Sequence, residues 1–207
     1  MANAKKRCRY CKEWKPVETM LKVPLGAFCN VDHAYKYAAE KSQAKRTKEV
    51  KRDIRQKKET LLTARDWIKK AQAAVNPYIR LRDKDKPCIS CGGSVEEIES
   101  EQGWKVGGCW DAGHYRSRGA AGHLRFNVLN ISKQCKRCNG GSGKHSRKRD
   151  TVDKQYRINL IAKIGEDKVL ELDNNNEIRR FDINYLKRLQ KIFLKRSRHL
   201  KKLRGNT

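Results

Sequence analysis

Three short stretches decide how this chain folds: Cys88-Ile-Ser-Cys91, Trp110-Asp-Ala-Gly-His114, and Asn130-Ile-Ser-Lys-Gln-Cys135-Lys-Arg-Cys138-Asn139. The two CxxC pairs supply four thiolates, the ligand set of a tetrahedral structural zinc site. The 43 residues between the pairs are more than a compact zinc ribbon needs. We therefore expect additional structure between the pairs, with His114 at the end of a strand and Asn130 in a loop.

This order of residues resembles the HNH nucleases, in which a hairpin and a helix form a ββα-metal unit. The resemblance implies that His114 is the first His and the general base, and that Asn130 is the middle Asn, which braces the loop. It implies that Asn139 occupies the third position and helps to bind a divalent metal; Asn127 is the alternative middle Asn. One HNH subgroup is braced by zinc on two CxxC pairs. The expected fold class is therefore α+β, a small zinc-braced ββα-metal (HNH) core flanked by helices, with an N-terminal zinc knuckle.

One position departs from the HNH pattern. Many HNH proteins carry a metal-binding Asp directly before the first His, but Gly113 stands there and the nearest acid is Asp111. Because strand positions three apart point to opposite faces, we expect Asp111 to join the site only through a bulge or bend at Gly113. His145, in the Gly-rich segment after Asn139, is the alternative ligand.

These residue types suit phosphodiester hydrolysis. A His has an unperturbed pKa of about 6.5, near neutral pH, and can take a proton from water. Magnesium or manganese prefers oxygen ligands, which Asp111 and Asn139 would supply, and would stabilise charge on the phosphate. The expected catalytic residues are His114, Asn130 and Asn139. The zinc on Cys88, Cys91, Cys135 and Cys138 is expected to be structural, because four thiolates leave no open position.

A second ligand group lies near the N-terminus, in the pattern Cys8-x2-Cys11-x17-Cys29-x3-His33. A spacing of four keeps Cys29 and His33 on one face if a helix starts between them. We expect a second structural zinc here, with free thiols in a flexible tail as the alternative. Of the remaining residues, Cys109 is expected to be a half-buried strand thiol, and Trp104 and Trp110 to form the core of the hairpin.

The charge of the chain indicates its partner. Lys and Arg total 50 against 23 acidic residues, a formal net charge of +27. A polyanion must neutralise such a chain, and nucleic acid gains most from counterion release. No apolar run is long enough to cross a membrane and no signal peptide is visible, so we expect a protein of the bacterial host's cytoplasm, where cysteines stay reduced. A non-catalytic zinc-braced DNA-binding or annealing protein, or an RNA-associated one, would have the same composition.

The basic charge concentrates in a run without Pro or Gly from Ala34 to about Leu62, which favours a solvated helix or a flexible linker. We expect it to hold DNA phosphates through Lys45, Arg46, Lys48, Lys51 and Arg52, with a solvated spacer as the alternative. The expected division is residues 1–33 (knuckle), 34–62 (basic linker), 63–149 (HNH core with a preceding helix) and 150–207 (C-terminal helices).

Helix and loop signals complete the prediction. One helix is expected to start near Thr63 or Ala64, another to run from Asp153 to Ile164 before Gly165, and a long one to follow an N-cap at Asp182. The acidic segment 92–103 resembles an exposed hairpin loop, and Trp104 to Tyr115 reads as a strand.

Over nearly its full length the chain resembles the NinG (Rap) family of lambdoid phage recombination proteins. The resemblance rests on the Cys knuckle, the Lys-rich run, and the stretches Asp66–Asn76, Ile79–Asp85, Pro87–Gly92, Trp110–Arg116, Leu124–Asn127 and Gln134-Cys135. The family's fourth N-terminal ligand is commonly Cys, where this chain has His33. The resemblance implies a nuclease that cuts branched DNA such as D-loops and Holliday junctions. Symmetric cutting of such junctions would favour a homodimer, with the C-terminal helix as a candidate interface.

Overall fold

The computed structural model describes residues 4–141 and 149–205. It divides the chain into two compact units, Met1–Leu62 and Thr63–Thr207. The finer four-part division stays a prediction. His145, the alternative metal ligand, lies outside the described residues.

The first unit combines two small antiparallel hairpins with one long helix. Strand β1 (Lys5–Arg7) pairs with β2 (Trp14–Pro16), and β3 (Leu21–Val23) pairs with β4 (Gly26–Phe28). Helix α1 (Val31–Thr60) follows, and the Asn30 side chain caps it by accepting a 2.9 Å hydrogen bond from the His33 backbone N–H. The small core consists of Cys8, Met20, Ala27 and Phe28. Cores with so few apolar residues are often braced by a metal ion.

Helix α1 is the basic run, and the structure confirms a helix rather than a flexible linker. It begins three residues earlier than Ala34, at Val31, because Asn30 caps it. None of its residues is buried. The helix therefore presents its cations to solvent, as its polar composition predicts.

The second unit contains helices around one hairpin. Its regular elements are, in chain order, α2 (Ala64–Arg82), α3 (Val95–Gln102), β5 (Trp110–His114), β6 (Ile131–Cys135), α4 (Lys136–Gly141), α5 (Arg149–Ile164), α6 (Glu166–Asn174) and α7 (Ile183–Gly205). A short 3-10 turn, Gly122–Leu124, lies in the segment between β5 and β6. The fold is thus a mixture of helices and small two-stranded sheets.

The predicted starts of α2 and α7 and the predicted end of α5 are confirmed, whereas α5 begins at Arg149 rather than at Asp153. Thr63 and Asp66 form a reciprocal capping box at the start of α2, and Gly165, at φ +90°, separates α5 from α6. Asp182 accepts a 2.8 Å hydrogen bond from the Tyr185 N–H at the start of α7. Helix α7 packs along α2, and its buried residues include Leu186 and Phe193.

The hairpin and the helices around it form the centre of the unit. β5 pairs antiparallel with β6 from Trp110↔Cys135 to His114↔Ile131 without interruption, and α4 follows directly. A buried carboxylate, Asp83, joins three elements: it pairs with Arg82 at 2.6 Å and Lys163 at 2.9 Å, and accepts the Lys133 N–H of β6. The apolar core between the hairpin, α5 and α6 consists of Ile89, Ala121, Leu124, Tyr156, Leu160, Val169 and Leu172.

Two expectations for the segment before β5 are wrong. Residues 92–103 are not a hairpin loop, because Ser94 and Glu97 form a capping box that starts helix α3. The strand begins only at Trp110, since Gly107 and Gly108 adopt left-handed φ values of +78° and +79°. Trp104 is consequently 80% exposed and does not belong to the hairpin core, whereas Trp110 is half-buried.

Among the described residues, no helix has both the length and the apolar composition that crossing a bilayer requires.

Candidate functional site

Both predicted ligand groups are assembled. In the second unit the ligand atoms of Cys88, Cys91, Cys135 and Cys138 lie within 4.8 Å of one another. Hydrogen bonds from Cys138 and Cys88 hold the pKa of the Cys135 thiol below its usual range, and the same contacts raise the pKa of Cys88 and Cys138. The group can hold a metal ion and is consistent with zinc. Cys109 is buried beside this group but is not part of it.

The N-terminal group is equally compact. The Cys8 Sγ lies 3.7 Å from the His33 Nδ1, and the Cys11 Sγ lies 3.5 Å from the Cys29 Sγ. Burial alone raises the pKa of the Cys8 thiol, but backbone hydrogen bonds from Cys11, Cys29 and Tyr10 outweigh it and lower that pKa to about 6. A thiolate that accepts backbone N–H groups is a good ligand for a soft or borderline cation. This cluster, too, is consistent with zinc.

The cluster in the second unit also positions the third residue of the HNH-like order. Cys135 ends β6 and Cys138 lies on α4, so a metal on both would fix the angle between strand and helix. Asn139 follows on α4, and its Nδ2 donates a 2.9 Å hydrogen bond to the Asp111 Oδ2 on β5. A carboxylate and an amide from distant parts of the chain are therefore brought together.

Asp111 and Asn139 line a polar cleft of about 330 Å³. The full lining is Asn76, Asp111, Ala112, His114, Ser117, Arg118 and Asn139. Asp111 and His114 share this cleft although β5 pairs continuously with β6, so the expected bulge at Gly113 is wrong. The cleft is walled by α2 and α4 as well as by β5, and it therefore receives side chains from both faces of the strand.

The structure explains why Gly occupies position 113. A Cβ there would lie 2.0 Å from the Oε1 and 2.9 Å from the Cδ of Gln134, which is buried on the neighbouring strand. The Gly113 carbonyl also accepts a hydrogen bond from the Tyr156 hydroxyl at 3.0 Å. A side chain at this position would point into packed structure rather than into the cleft. An Asp at 113 could not serve as a ligand, and Asp111 is the acid that reaches the site.

His114 is held in the form that a general base requires. Its Nε2 lies 3.0 Å from the carbonyl oxygen of Arg125, and because a carbonyl only accepts, Nε2 carries the proton and Nδ1 the lone pair. Burial, together with the charges of Arg118 and Arg125, lowers the pKa of His114 to about 4, against the opposing effect of the Arg125 carbonyl. The ring is therefore neutral at neutral pH.

Asn130 lies outside the cleft and braces the loop that follows His114. Its side chain is fully buried. Its Oδ1 accepts the Arg116 N–H at 2.8 Å, and its Nδ2 donates to the carbonyls of Arg116 at 3.1 Å and Leu124 at 3.3 Å. These bonds close the loop on which Arg125 lies, so Asn130 sets the carbonyl that orients His114. Asn127 makes a local turn, accepting the Leu129 N–H at 2.9 Å.

Sequence reasoning missed three residues of the cleft: Asn76, Ser117 and Arg118. Asn76 comes from α2, where its Oδ1 accepts a 2.7 Å hydrogen bond from the Gln72 Nε2. No local pattern marks Asn76 as a site residue, because its neighbours in the cleft lie more than 30 positions away. Arg118 ends the short stretch Arg116-Ser117-Arg118 and looks like ordinary surface charge in the sequence.

The five cations predicted to bind nucleic acid, Lys45, Arg46, Lys48, Lys51 and Arg52, are exposed on α1 in the first unit. Their neighbours on this helix include few acids, so the local charge stays strongly positive.

Comparison with known proteins finds relatives that match nearly the whole chain. The family model described as "Bacteriophage Lambda NinG protein" matches residues 1–204. Protein ninG of Enterobacteria phage H19B is 35% identical over 202 residues, covering 90% of this chain and 89% of the relative. Protein ninG of Escherichia phage 933W is 33% identical, covering 98% and 96%; that of Escherichia phage lambda is 40% identical over 139 residues, covering 67% and 59%. No solved structure matches the chain significantly.

Proposed function

The chain belongs to the NinG family of bacteriophage proteins, and on that premise we propose that it is a metal-dependent DNA endonuclease with a zinc-braced HNH core. The observation that carries the proposal is the polar cleft in which a neutral His114 lies beside the Asp111–Asn139 pair. A base and an oxygen-donor pair in one open cleft are what metal-assisted phosphodiester hydrolysis needs.

His114 is the general base. Its Nδ1 takes a proton from a water molecule while the water oxygen forms a bond to phosphorus, and the bond from phosphorus to the leaving sugar oxygen breaks. The Arg125 carbonyl keeps Nε2–H engaged, so the ring cannot present the protonated nitrogen to the water. After proton transfer the imidazolium is stabilised by the same carbonyl.

Asp111 and Asn139 are the residues that would hold the catalytic cation. A carboxylate and an amide within hydrogen-bonding distance form a hard, oxygen-rich pair, which fits magnesium or manganese. When bound, such an ion neutralises charge on the phosphate and stabilises the leaving oxygen. Arg118, exposed at the cleft and close enough to affect His114, is suited to pair with a phosphate oxygen.

The two cysteine clusters are proposed to hold one structural zinc each. Four ligands close the coordination shell in both clusters, which excludes a water-activating role for either ion. The zinc of the second unit would act on catalysis indirectly, because it joins β6 to α4 and thereby holds Asn139 against Asp111.

DNA is the proposed substrate, and branched intermediates of phage recombination are the proposed form of it. A net charge of +27 and an exposed basic helix support a nucleic acid partner. The preference for branched DNA follows from the resemblance to the NinG family.

A cleavage assay tests the proposal. Full-length protein is incubated with a labelled four-way junction in magnesium, with EDTA, and as the His114→Ala variant. We expect cutting only by the wild type in magnesium, with DNA binding of His114→Ala within a few-fold of the wild type. His199→Ala, which removes an exposed His of α7, is the matched control and should cut normally. If wild type binds the junction but never cuts it, the protein is a non-catalytic DNA-binding or annealing factor.

A further inference from the structure

The loop between α3 and β5 exposes apolar side chains. Trp104 is 80% exposed and Val106 is 97% exposed, only two residues apart. Neighbouring apolar side chains that are this exposed mark an interaction site more often than isolated ones do. The mechanism proposed above uses neither residue.

The loop is held in place rather than free. The Trp104 Nε1 donates a 3.1 Å hydrogen bond to the Glu101 carbonyl, which satisfies the polar edge of the ring inside the protein. Lys136 of α4 donates to the Val106 carbonyl at 2.5 Å, and left-handed Gly107 and Gly108 form the turn into β5. The aromatic face is therefore presented in a fixed orientation, with its own N–H already bonded. Such a face suits stacking better than hydrogen bonding.

The same loop lines a cleft of about 460 Å³, large enough for a small-molecule-sized group. The cleft is lined by Arg80, Lys84, Glu99, Gly103, Gly107, Gly108, Cys109, Trp110 and Lys133. Trp104 directly follows Gly103 of this lining and is 80% exposed. Arg80, Lys84 and Lys133 provide positive charge. Glu99 of α3 provides a carboxylate, whose Oε1 accepts a 3.4 Å hydrogen bond from the Trp110 Nε1 and whose other oxygen has room for a second donor.

This arrangement of charge distinguishes among ligands. An inorganic phosphate would be attracted by the cations but repelled by Glu99. A simple cation would be repelled by Arg80 and Lys84. A nucleotide carries both a phosphate and a base with N–H donors, so it satisfies both kinds of group, and its base has a face that can stack on Trp104.

We propose that the loop Gly103–Gly108 and this cleft bind one unpaired nucleotide of the DNA substrate, with the base against Trp104 and the phosphate at Arg80 and Lys84. A paired base cannot occupy the site, since both of its faces are stacked and its edge is bonded to its partner. The site therefore selects DNA in which pairing is interrupted. The inference rests on the proposed function for its substrate, and it names the structural feature that the enzyme recognises.

The positions of the two clefts along β5 support the proposal. Trp110 lines the cleft proposed to bind the nucleotide, and its immediate neighbour Asp111 lines the polar cleft that contains His114 and Asn139. The two clefts therefore border consecutive residues of one strand. A nucleotide held at the first cleft would bring the adjoining phosphodiester close to the second. The acidic helix α3 does not preclude this, because Glu101 is paired with Arg137 at 2.9 Å and Glu97 caps the helix.

Binding of full-length protein to DNA without cleavage tests the proposal. Fluorescent splayed-arm DNA with unpaired arms and a paired duplex of the same length are titrated in buffer without added magnesium, because EDTA would also remove the zinc proposed for the cysteine clusters. Trp104→Ala is compared with Trp14→Ala, which removes a Trp that is 66% exposed in the first unit. We expect Trp104→Ala to weaken binding of the splayed DNA between about 5-fold and 100-fold, the range that base stacking on an aromatic ring supplies. Binding to the duplex should not change, and Trp14→Ala should leave both unchanged.

Two further variants separate stacking from loss of structure. Trp104→Phe keeps an aromatic face and should recover most of the affinity for splayed DNA. Lys84→Gln should weaken the splayed complex and lower its salt slope by about one. Equal weakening on both DNAs, or no weakening by Trp104→Ala, would overturn the proposal; capture of a protein partner by this loop would then be the alternative. Because no magnesium is added, the titration measures binding alone. A wild type that selects splayed DNA in this titration but never cuts it when magnesium is supplied would refute the nuclease function and leave this inference standing.

Discussion

Replacing Gly113 by Ala tests how the two sides of the hairpin are fitted together. The new Cβ would lie 2.0 Å from the Oε1, 2.9 Å from the Cδ and 3.0 Å from the Cβ of Gln134, whereas carbon atoms in normal contact are about 3.5–4.0 Å apart. Gln134 is only 1% exposed, and its Nε2 donates a 2.7 Å hydrogen bond to Ser90. Its amide therefore cannot turn away into solvent, and β5 or β6 must move instead.

The size of the effect follows from these contacts. Overpacking a filled site costs about 1–3 kcal/mol, and loss of the hydrogen bond to Ser90 adds roughly 0.5–1.5 kcal/mol. We expect Gly113→Ala to lower the free energy of unfolding of the second unit by about 2–4 kcal/mol. Asp111 and His114 lie on either side of Gly113, so a strand shift on the order of 1 Å should also reduce cleavage about 100-fold.

A double-mutant cycle isolates the cause. Gln134→Ala removes the amide, leaving only the Cβ contact, so Gly113→Ala should cost much less in a Gln134→Ala background. Urea denaturation gives the free energies, and junction cleavage in magnesium gives the rates. If Gly113→Ala keeps wild-type stability and cleavage, position 113 is not packed against Gln134. Additive effects of the two substitutions would lead to the same conclusion.

Four other predictions follow from the structure. Because burial lowers the pKa of His114 to about 4, kcat/KM for cleavage should stay level as pH falls from 8 to about 5.5; a rate that halves near pH 6.5 would contradict this. Elemental analysis should find two zinc ions per chain, with Cys8→Ser losing one while the second unit stays folded and Cys88→Ser unfolding that unit, as judged by protease resistance. Burial raises the pKa of Asp83, but the hydrogen bonds and charges of Arg82 and Lys163 outweigh burial and hold it at about 2, below 3.8. The stabilisation of about 2 kcal/mol should therefore be complete above pH 4 and lost as pH falls through 2, and Asp83→Asn should remove this acid dependence from the unfolding curve. Changing the five α1 cations to Gln should lower the salt slope of DNA binding, equally on every sequence, and an unchanged slope would make α1 a spacer; the cations are Lys45, Arg46, Lys48, Lys51 and Arg52.

Local features of the sequence were sufficient to predict the two metal-ligand clusters and most helix boundaries. CxxC pairs hold two ligands close together whatever surrounds them, so both groups of four could be identified from spacing and are found assembled. The starts of α2 and α7 follow from the Thr63 cap and the Asp182 cap, which act within one turn of the chain. The same kind of signal, the Ser94–Glu97 capping box, was present for α3 and was overlooked among the surrounding acidic residues.

The set of residues that lines the polar cleft could not be predicted from local sequence features. Asn76 reaches it from α2, and Asp111 enters it without a bulge because the cleft is walled by three elements and not by one face of a strand. The basicity of His114 depends on how deeply it is buried and on a carbonyl 11 residues away. Sequence patterns determined which residues are near each other along the chain and which chemistry they carry. Only the tertiary structure decided which of them share a site and what their protonation states are, because desolvation and contacts between distant segments arise only when the chain is packed.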